Sequence, residues 1–311
     1  MKKIVAFILL TCMALTLVAC TDNKSNSPET TTPQDTTSND TAPEISMQAI
    51  YDADLTAAVL KNHQSIYIQA KMDGEVYNEK YLTRDYSYNL VPGVDEESDY
   101  AEFTTDDACF CYMGGDYLCY LSITPDGVSN FAKYRADRYA SAVLSKDVLK
   151  DIIESVSQND GRITVKSFMD GDALAELGVT SGKFEYVMDA NTREIISYVG
   201  DLTLDAETSI HSVAEATYDA EVPEKVNAFL NYANQTDDLR NITVVSNPGT
   251  EKEESKCVQV PRGLIVGFRF DEESEYQFEL YSDAACTEAY DPYANTDSDL
   301  TVYVKWNTKT A

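Results

Sequence analysis

The chain has 311 residues, and 24 Lys and Arg against 53 Asp and Glu leave a formal charge of −29. That balance excludes sequence-independent nucleic-acid binding, which relies on basic side chains neutralising phosphates. With 43% hydrophobic residues the chain is globular in composition, and its 21 Tyr against 10 Phe favour half-exposed β surface over an aliphatic helical core.

The first twenty residues carry an address. Lys2 and Lys3 precede an apolar run, Ile4 to Val18, broken only by Thr11 and Thr16. A run this short behind a basic front end reads as an export signal rather than a spanning helix. Its ending, Leu17-Val18-Ala19-Cys20, resembles the bacterial lipobox. The resemblance implies a signal peptide over residues 1–19 and a thioether-linked diacylglycerol on Cys20, which becomes the new N-terminus. Two acyl chains suffice for stable anchoring, so the expected location is the extracytoplasmic face of the cell membrane. Residues 20–45 are almost wholly Thr, Ser, Asn, Asp, Pro, Glu and Gln. Such a stretch cannot bury enough surface to offset its ordering entropy and reads as a disordered linker.

From Ser46 the pattern changes. Met47, Ile50, Tyr51, Leu55, Ala58 and Val59 recur at helical spacing, and Ile66, Ile68, Ala70 and Met72 then alternate as in a strand. Strand-like runs continue through Tyr81–Asn89 and Ala101–Thr105, and Gly114-Gly115 marks a hairpin between Cys109 and Ile123. Ser145 is placed to cap a helix with apolar positions at Val148, Leu149, Ile152, Ile153 and Val156. Four further strands are expected at Arg162–Phe168, Lys183–Met188, Glu194–Leu204 and Ser209–Tyr218, and a short helix near Pro223. This order is α+β. It resembles the lipoprotein carriers of the LolA and LppX type, through its element order, its lipoprotein context and the segment from Val187 to Pro223. The resemblance implies, for residues 46–238, an antiparallel half-barrel sheet with covering helices that binds a lipid or other apolar group without catalysis.

Five cysteines remain once Cys12 leaves with the signal and Cys20 carries lipid. A three-residue hairpin loop would pair Met113 with Tyr117 and set Cys111 opposite Cys119, within reach of a disulfide. A two-residue loop would instead pair Phe110 with Cys119. Cys109, Cys111 and Cys119 lack a nearby His or a fourth Cys, so no metal site is assigned. Both hairpin faces are apolar: Phe110, Tyr112, Leu118 and Tyr120 are expected on one, and Met113, Tyr117, Leu121 and Ile123 on the other. Tyr112, Tyr117, Leu121 and Tyr120 are the candidate ligand-facing residues.

Residues 239–311 read as a small β unit. Tyr281–Asp291 (YSDAACTEAYD) and Asp299–Trp306 (DLTVYVKW) resemble the internalin-type B repeat, as does the entry side at Val244, Asn247, Pro248, Gly249 and Thr250. Leu280 stands where that family usually has Trp, and Glu279 where it has Gly. The resemblance implies a β-grasp-like module of bacterial surface proteins that mediates adhesion or acts as a spacer. Leu300, Val302 and Val304 alternate with Thr301, Tyr303 and Lys305, giving the last strand one buried face. Cys257 and Cys286 are candidates to staple this unit.

Asn295, Asp297 and Asp299 have the spacing of half a calcium loop, without its turn glycine or its final Glu. These, and the acidic loops at Asp95–Asp99 and Asp271–Glu275, are read as solvated surface. No catalytic residue is assigned, because no nucleophile, base and orienting group can be assembled around His63 and His211. No cofactor is assigned either. The expected activity is non-enzymatic binding or adhesion through a Tyr-rich sheet surface and the terminal module. The alternative is carriage or sensing of an apolar ligand in the concave face. The expected partners are the membrane, through Cys20, and a protein, glycan or apolar ligand, but no nucleic acid.

Overall fold

The computed structural model describes residues 44–58, 60–138, 149–270, 275–293 and 296–309. Cys20, the leader and the linker up to residue 43 lie outside them, as do Val59, Ser145, Val148, Asp271–Glu273 and Asn295. Mostly antiparallel sheet with few helices, the chain divides into two compact units. One takes residues 1–56 and 143–213, the other residues 57–142 and 214–311. No helix among the described residues is long and apolar enough to cross a membrane.

The first unit opens with α1 (Met47–Ala58), whose entry is capped by the Ser46 hydroxyl accepting from the Ala49 N–H at 3.1 Å. Its strands β8 (Asp151–Asn159), β9 (Arg162–Met169), β10 (Ser181–Asp189), β11 (Ile195–Thr203) and the start of β12 (Ser209–Tyr218) lie side by side in chain order. Helix α3 (Gly171–Leu177) bridges β9 and β10, held between an Asp170 N-cap and Gly178 at φ 65°. The strands from Arg162 to Tyr218 fall where the periodicity puts them.

From Asp151 to Val156 the expected helix is instead part of strand β8. Asp151, Ile152, Ile153, Ser155 and Val156 all pair with β9. A bulge between Ile153 and Ser155 steps the strand by one residue, which turns a period-two ladder into a spacing that mimics a helical face. Buried Asp151 fixes the strand further, accepting from the Tyr186 hydroxyl at 2.8 Å and the Ser167 hydroxyl at 3.3 Å.

In the second unit the strand order is β15 (Ile265–Arg269), β6 (Asp116–Thr124), β5 (Cys109–Met113), β4 (Tyr100–Thr105), β3 (Tyr86–Val91), β2 (Glu75–Thr83), β1 (Ser65–Met72) and the end of β12, with short β7 (Gly127–Ser129) beside β6. The single run expected over Tyr81–Asn89 is broken at Arg84-Asp85 into β2 and β3, which pair with each other. A second sheet has the order β14 (Glu254–Pro261), β13 (Leu239–Ser246), β17 (Leu300–Thr308) and β16 (Tyr276–Tyr281), with β13 and β17 parallel. Val302 and Val304 are fully buried, as the alternation of β17 requires.

The boundary expected at residues 238/239 does not separate two bodies. Strand β15 leaves the C-terminal segment and pairs parallel with β6, Ile265 against Leu118 through Arg269 against Ser122. Helix α4 (Glu224–Ala233), following Pro223, supplies Val226 and Phe229 to a core that also takes Tyr88, Phe103, Phe110 and Leu121 from the first sheet and Ile242, Val244 and Val304 from the second. One apolar core therefore serves both sheets of this unit.

Candidate functional site

The hairpin β5–β6 turns on two residues, Gly114 and Gly115, both at positive φ (63° and 87°), as the two central positions of a type I′ turn demand. This sets Met113 against Asp116, Tyr112 against Tyr117, Cys111 against Leu118 and Phe110 against Cys119. The two-residue alternative is thus the one observed. A shift of one residue sends every β6 side chain to the other face, so the expected face assignment is corrected. Phe110, Tyr112, Tyr117, Cys119, Leu121 and Ile123 share one face, and Cys109, Cys111, Leu118 and Tyr120 share the other. The expected Cys111–Cys119 disulfide is ruled out by this register, and both are free thiols.

The first face is filled by the chain itself. Phe229 of α4 stacks on Phe103 at 5.8 Å and 7°, and meets Tyr88 at 5.8 Å and Tyr117 at 5.5 Å. Tyr232 lies 6.3 Å from Phe110 and 5.2 Å from Tyr117, and Tyr117 packs on Tyr112 at 5.0 Å. These are the centroid separations of packed aromatic pairs. Of the four candidate ligand-facing residues, Tyr112, Tyr117 and Leu121 belong to this core, and burial pushes the Tyr117 hydroxyl above its ordinary pKa. Cys119, behind them, is fully buried, and burial raises its thiol to about 12.

Tyr120 is on the opposite face, in a buried polar cluster that sequence reasoning missed. Strand pairing sets Glu102 against Cys111 and Thr104 against Cys109. Glu102 has no exposed surface, and one donor atom each from Glu102, Cys109 and Cys111 lie within 4.8 Å of one another. Arg269 of β15 is 3.0 Å from Glu102 Oε2 and donates to Cys111 Sγ at 3.5 Å and to the Tyr100 hydroxyl at 3.3 Å. It also donates to the Tyr134 hydroxyl, from helix α2 (Ala132–Arg138). The guanidinium lies over the Tyr120 ring at 4.4 Å. Gly267 permits this: a Cβ there would stand 2.6 Å from the Tyr120 ring. Tyr100 and Tyr134 donate to Glu102 at 2.9 and 3.1 Å.

A buried carboxylate is tolerated only when paired and hydrogen-bonded in this way. Burial alone would lower the pKa of Arg269, but Glu102 carries it upward. Burial holds the Cys109 thiol well above its usual value, while a hydrogen bond from Cys109 lowers that of Cys111.

Cys257 lies exposed on β14 and Cys286 beyond β16, on opposite edges of the four-stranded sheet. With β13 and β17 between them at ~4.8 Å per strand, they stand beyond the ~7 Å Cα limit for a disulfide. The expected staple is replaced by ordinary packing. Trp306 donates to the Ser246 hydroxyl at 2.8 Å and meets Phe278 at 5.7 Å. Asp299, from the expected half calcium loop, accepts the Asn241 backbone and side-chain N–H groups at 2.9 and 3.0 Å.

An open depression of about 440 Å³ lies elsewhere in the second unit, lined by Gln64, Tyr81, Thr83, Asp85, Tyr86 and Asp219 among others. At its side, His63 pairs with Asp219 at 2.7 Å. The Gln64 backbone N–H, and then His63, hold the Asp219 carboxyl below the ordinary carboxylate range.

No family model matches the chain, and no curated protein does. Among solved structures, LprF of Mycobacterium bovis is similar at 14% identity and a TM-score of 0.33, over 59% of this chain and 97% of that one. A LolA superfamily protein of Nitrosomonas europaea is similar at 10% identity and a TM-score of 0.23, over the same shares.

Proposed function

We propose that the protein is a non-catalytic, lipid-anchored binding protein of the extracytoplasmic membrane face, held by Cys20 and recognising its partner from outside its cores. The observation that carries this reading is the occupation of the aromatic hairpin face by Phe229 and Tyr232 of α4. A face already packed by its own helix leaves no dry volume for an acyl chain. The open concavity instead presents tyrosine, carboxylate, amide and hydroxyl groups. Such a lining, on a chain of charge −29, suits a polar or cationic partner, a protein or a glycan, for which tyrosine supplies contact area at low entropy cost. The internalin-type resemblance of the tail is in keeping with adhesion.

A second reading, carriage of a lipid or other apolar molecule, is favoured by an exposed apolar cross-strand pair. Ile152 and Phe168, partners on β8 and β9, are 45% and 39% exposed. Thermal melts of the purified protein against fatty acids, diacylglycerols, cationic peptides and soluble glycans separate the two readings. A stabilising ligand binds the native state and raises the melting temperature. A rise with a peptide or glycan alone supports surface recognition, and a rise of several degrees with a lipid alone supports carriage.

A further inference from the structure

We propose that Cys109, Cys111 and Glu102 form a binding site for one thiophilic divalent cation, with zinc the natural occupant. The three side chains come from adjacent strands and project from one face, where β4–β5 pairing sets Glu102 against Cys111 and Cys109 follows two residues along the same strand. Their donor atoms lie within 4.8 Å of one another. A tetrahedral zinc ion with Zn–S bonds of ~2.3 Å and Zn–O bonds of ~2.0–2.2 Å spans donors ~3.5–3.8 Å apart, so small side-chain movements close the site. Two thiolates and a carboxylate are a soft-leaning set that selects zinc over magnesium or calcium.

The charge count supports a divalent occupant. With both thiols protonated, Glu102 and Arg269 cancel. When a dication replaces the two thiol protons, which pass to solvent, two thiolates and one carboxylate balance the cation and Arg269. The buried cluster is neutral in both states, as a site of low dielectric requires. A monovalent cation displacing both protons would leave it negative, so ligation by both thiolates is what calls for a dication.

The surroundings match those of a metal site. Thr104 donates to Cys109 Sγ at 3.5 Å and Arg269 to Cys111 Sγ at 3.5 Å, the kind of outer hydrogen bonds that orient ligands. A carboxylate offers about four acceptor positions, so Glu102 can ligate while Oε2 keeps Arg269. The Tyr100 hydroxyl lies 2.9 Å from Glu102 Oε2 and 3.8 Å from Cys111 Sγ, bridging two of the three donors.

The test uses the full chain with Cys12, Cys20, Cys257 and Cys286 replaced by serine, so that only the hairpin thiols remain. Titration with cadmium should give an ultraviolet thiolate-to-metal charge-transfer band that saturates at one ion per chain and is reversed by zinc. Cys119→Ser, on the other face, should leave it intact. Cys109→Ser and Cys111→Ser should abolish it, and Glu102→Gln should weaken binding about tenfold or more. A band that persists in folded Cys109→Ser protein, or none in the four-serine chain, overturns the proposal. If the hairpin variants fail to fold, the four-serine chain decides alone: zinc raises its melting temperature by several degrees, or the site does not exist.

Discussion

Replacing Phe229 with alanine tests whether α4 closes the aromatic sheet face. Phe229 is 2% exposed and touches Phe103, Tyr88 and Tyr117 at centroid distances of 5.5–5.8 Å. Truncating a buried Phe to Ala costs ~3–5 kcal/mol, the lost transfer energy plus the cavity left behind. At ~2–4 °C per kcal/mol for a domain of this size, the melting temperature should fall by roughly 6–20 °C. The cavity is apolar and stays dry, so a small aromatic such as benzene should bind it and recover part of the loss. Lys225→Ala, on the exposed side of the same helix and 3.5 Å from Asp99, is the control and should cost at most ~1 kcal/mol. Calorimetry or circular dichroism melts read all three. A fall of less than about 2 °C for Phe229→Ala, at most ~0.5–1 kcal/mol on the same scale, would mean that α4 does not pack on the sheet and would refute the closed face.

Three further outcomes are expected. Cys20→Ala should move the protein from the membrane fraction to the soluble or unprocessed fraction, and unchanged fractionation would remove the anchor. Alkylation after denaturation without reductant should modify Cys109, Cys111, Cys119, Cys257 and Cys286 alike, whereas a Cys257–Cys286 or Cys111–Cys119 crosslink in the peptide map would contradict the strand register. The folded-state pKa of Asp219 is depressed, so its contribution to stability is present above the unfolded carboxylate value of ~3.9 and is lost as pH falls through the lower folded value. The melting difference between wild type and Asp219→Asn should therefore shrink and vanish as pH falls below about 4; a difference growing over that range would contradict the pairing.

Local pattern carries most of the elements and little of the site. The alternation at Ile66–Met72 and at Leu300–Lys305 each corresponds to a strand, because one face of each is buried. Helical spacing at Val148–Val156 misleads because a bulge at Ile153/Ser155 changes the period within β8. The hairpin faces depend on one residue of loop length, and Asp116 belongs to the ladder rather than the turn, opposite Met113. The shared core of the second unit is invisible locally, since β15 meets β6 across more than a hundred residues of chain. The Glu102 cluster is hidden for the same reason. Its carboxylate comes from a neighbouring strand and its counter-ion, Arg269, from the C-terminal segment, so no short motif joins them. The one local clue is the Cys109-Phe110-Cys111 spacing, which puts two thiols on one face of any strand.

Native mass spectrometry of the protein gently extracted from its own membrane, compared with the denatured mass, tests the central claim most directly. Covalent lipid on Cys20, where the proposed anchor is formed, would appear in both spectra and drop out of the comparison. The account predicts that the native species carries no stoichiometric apolar adduct beyond that lipid, because Phe229 and Tyr232 of α4 fill the aromatic hairpin face. An acyl-containing molecule bound one to one in the native spectrum and lost on denaturation would contradict it and make the protein a carrier.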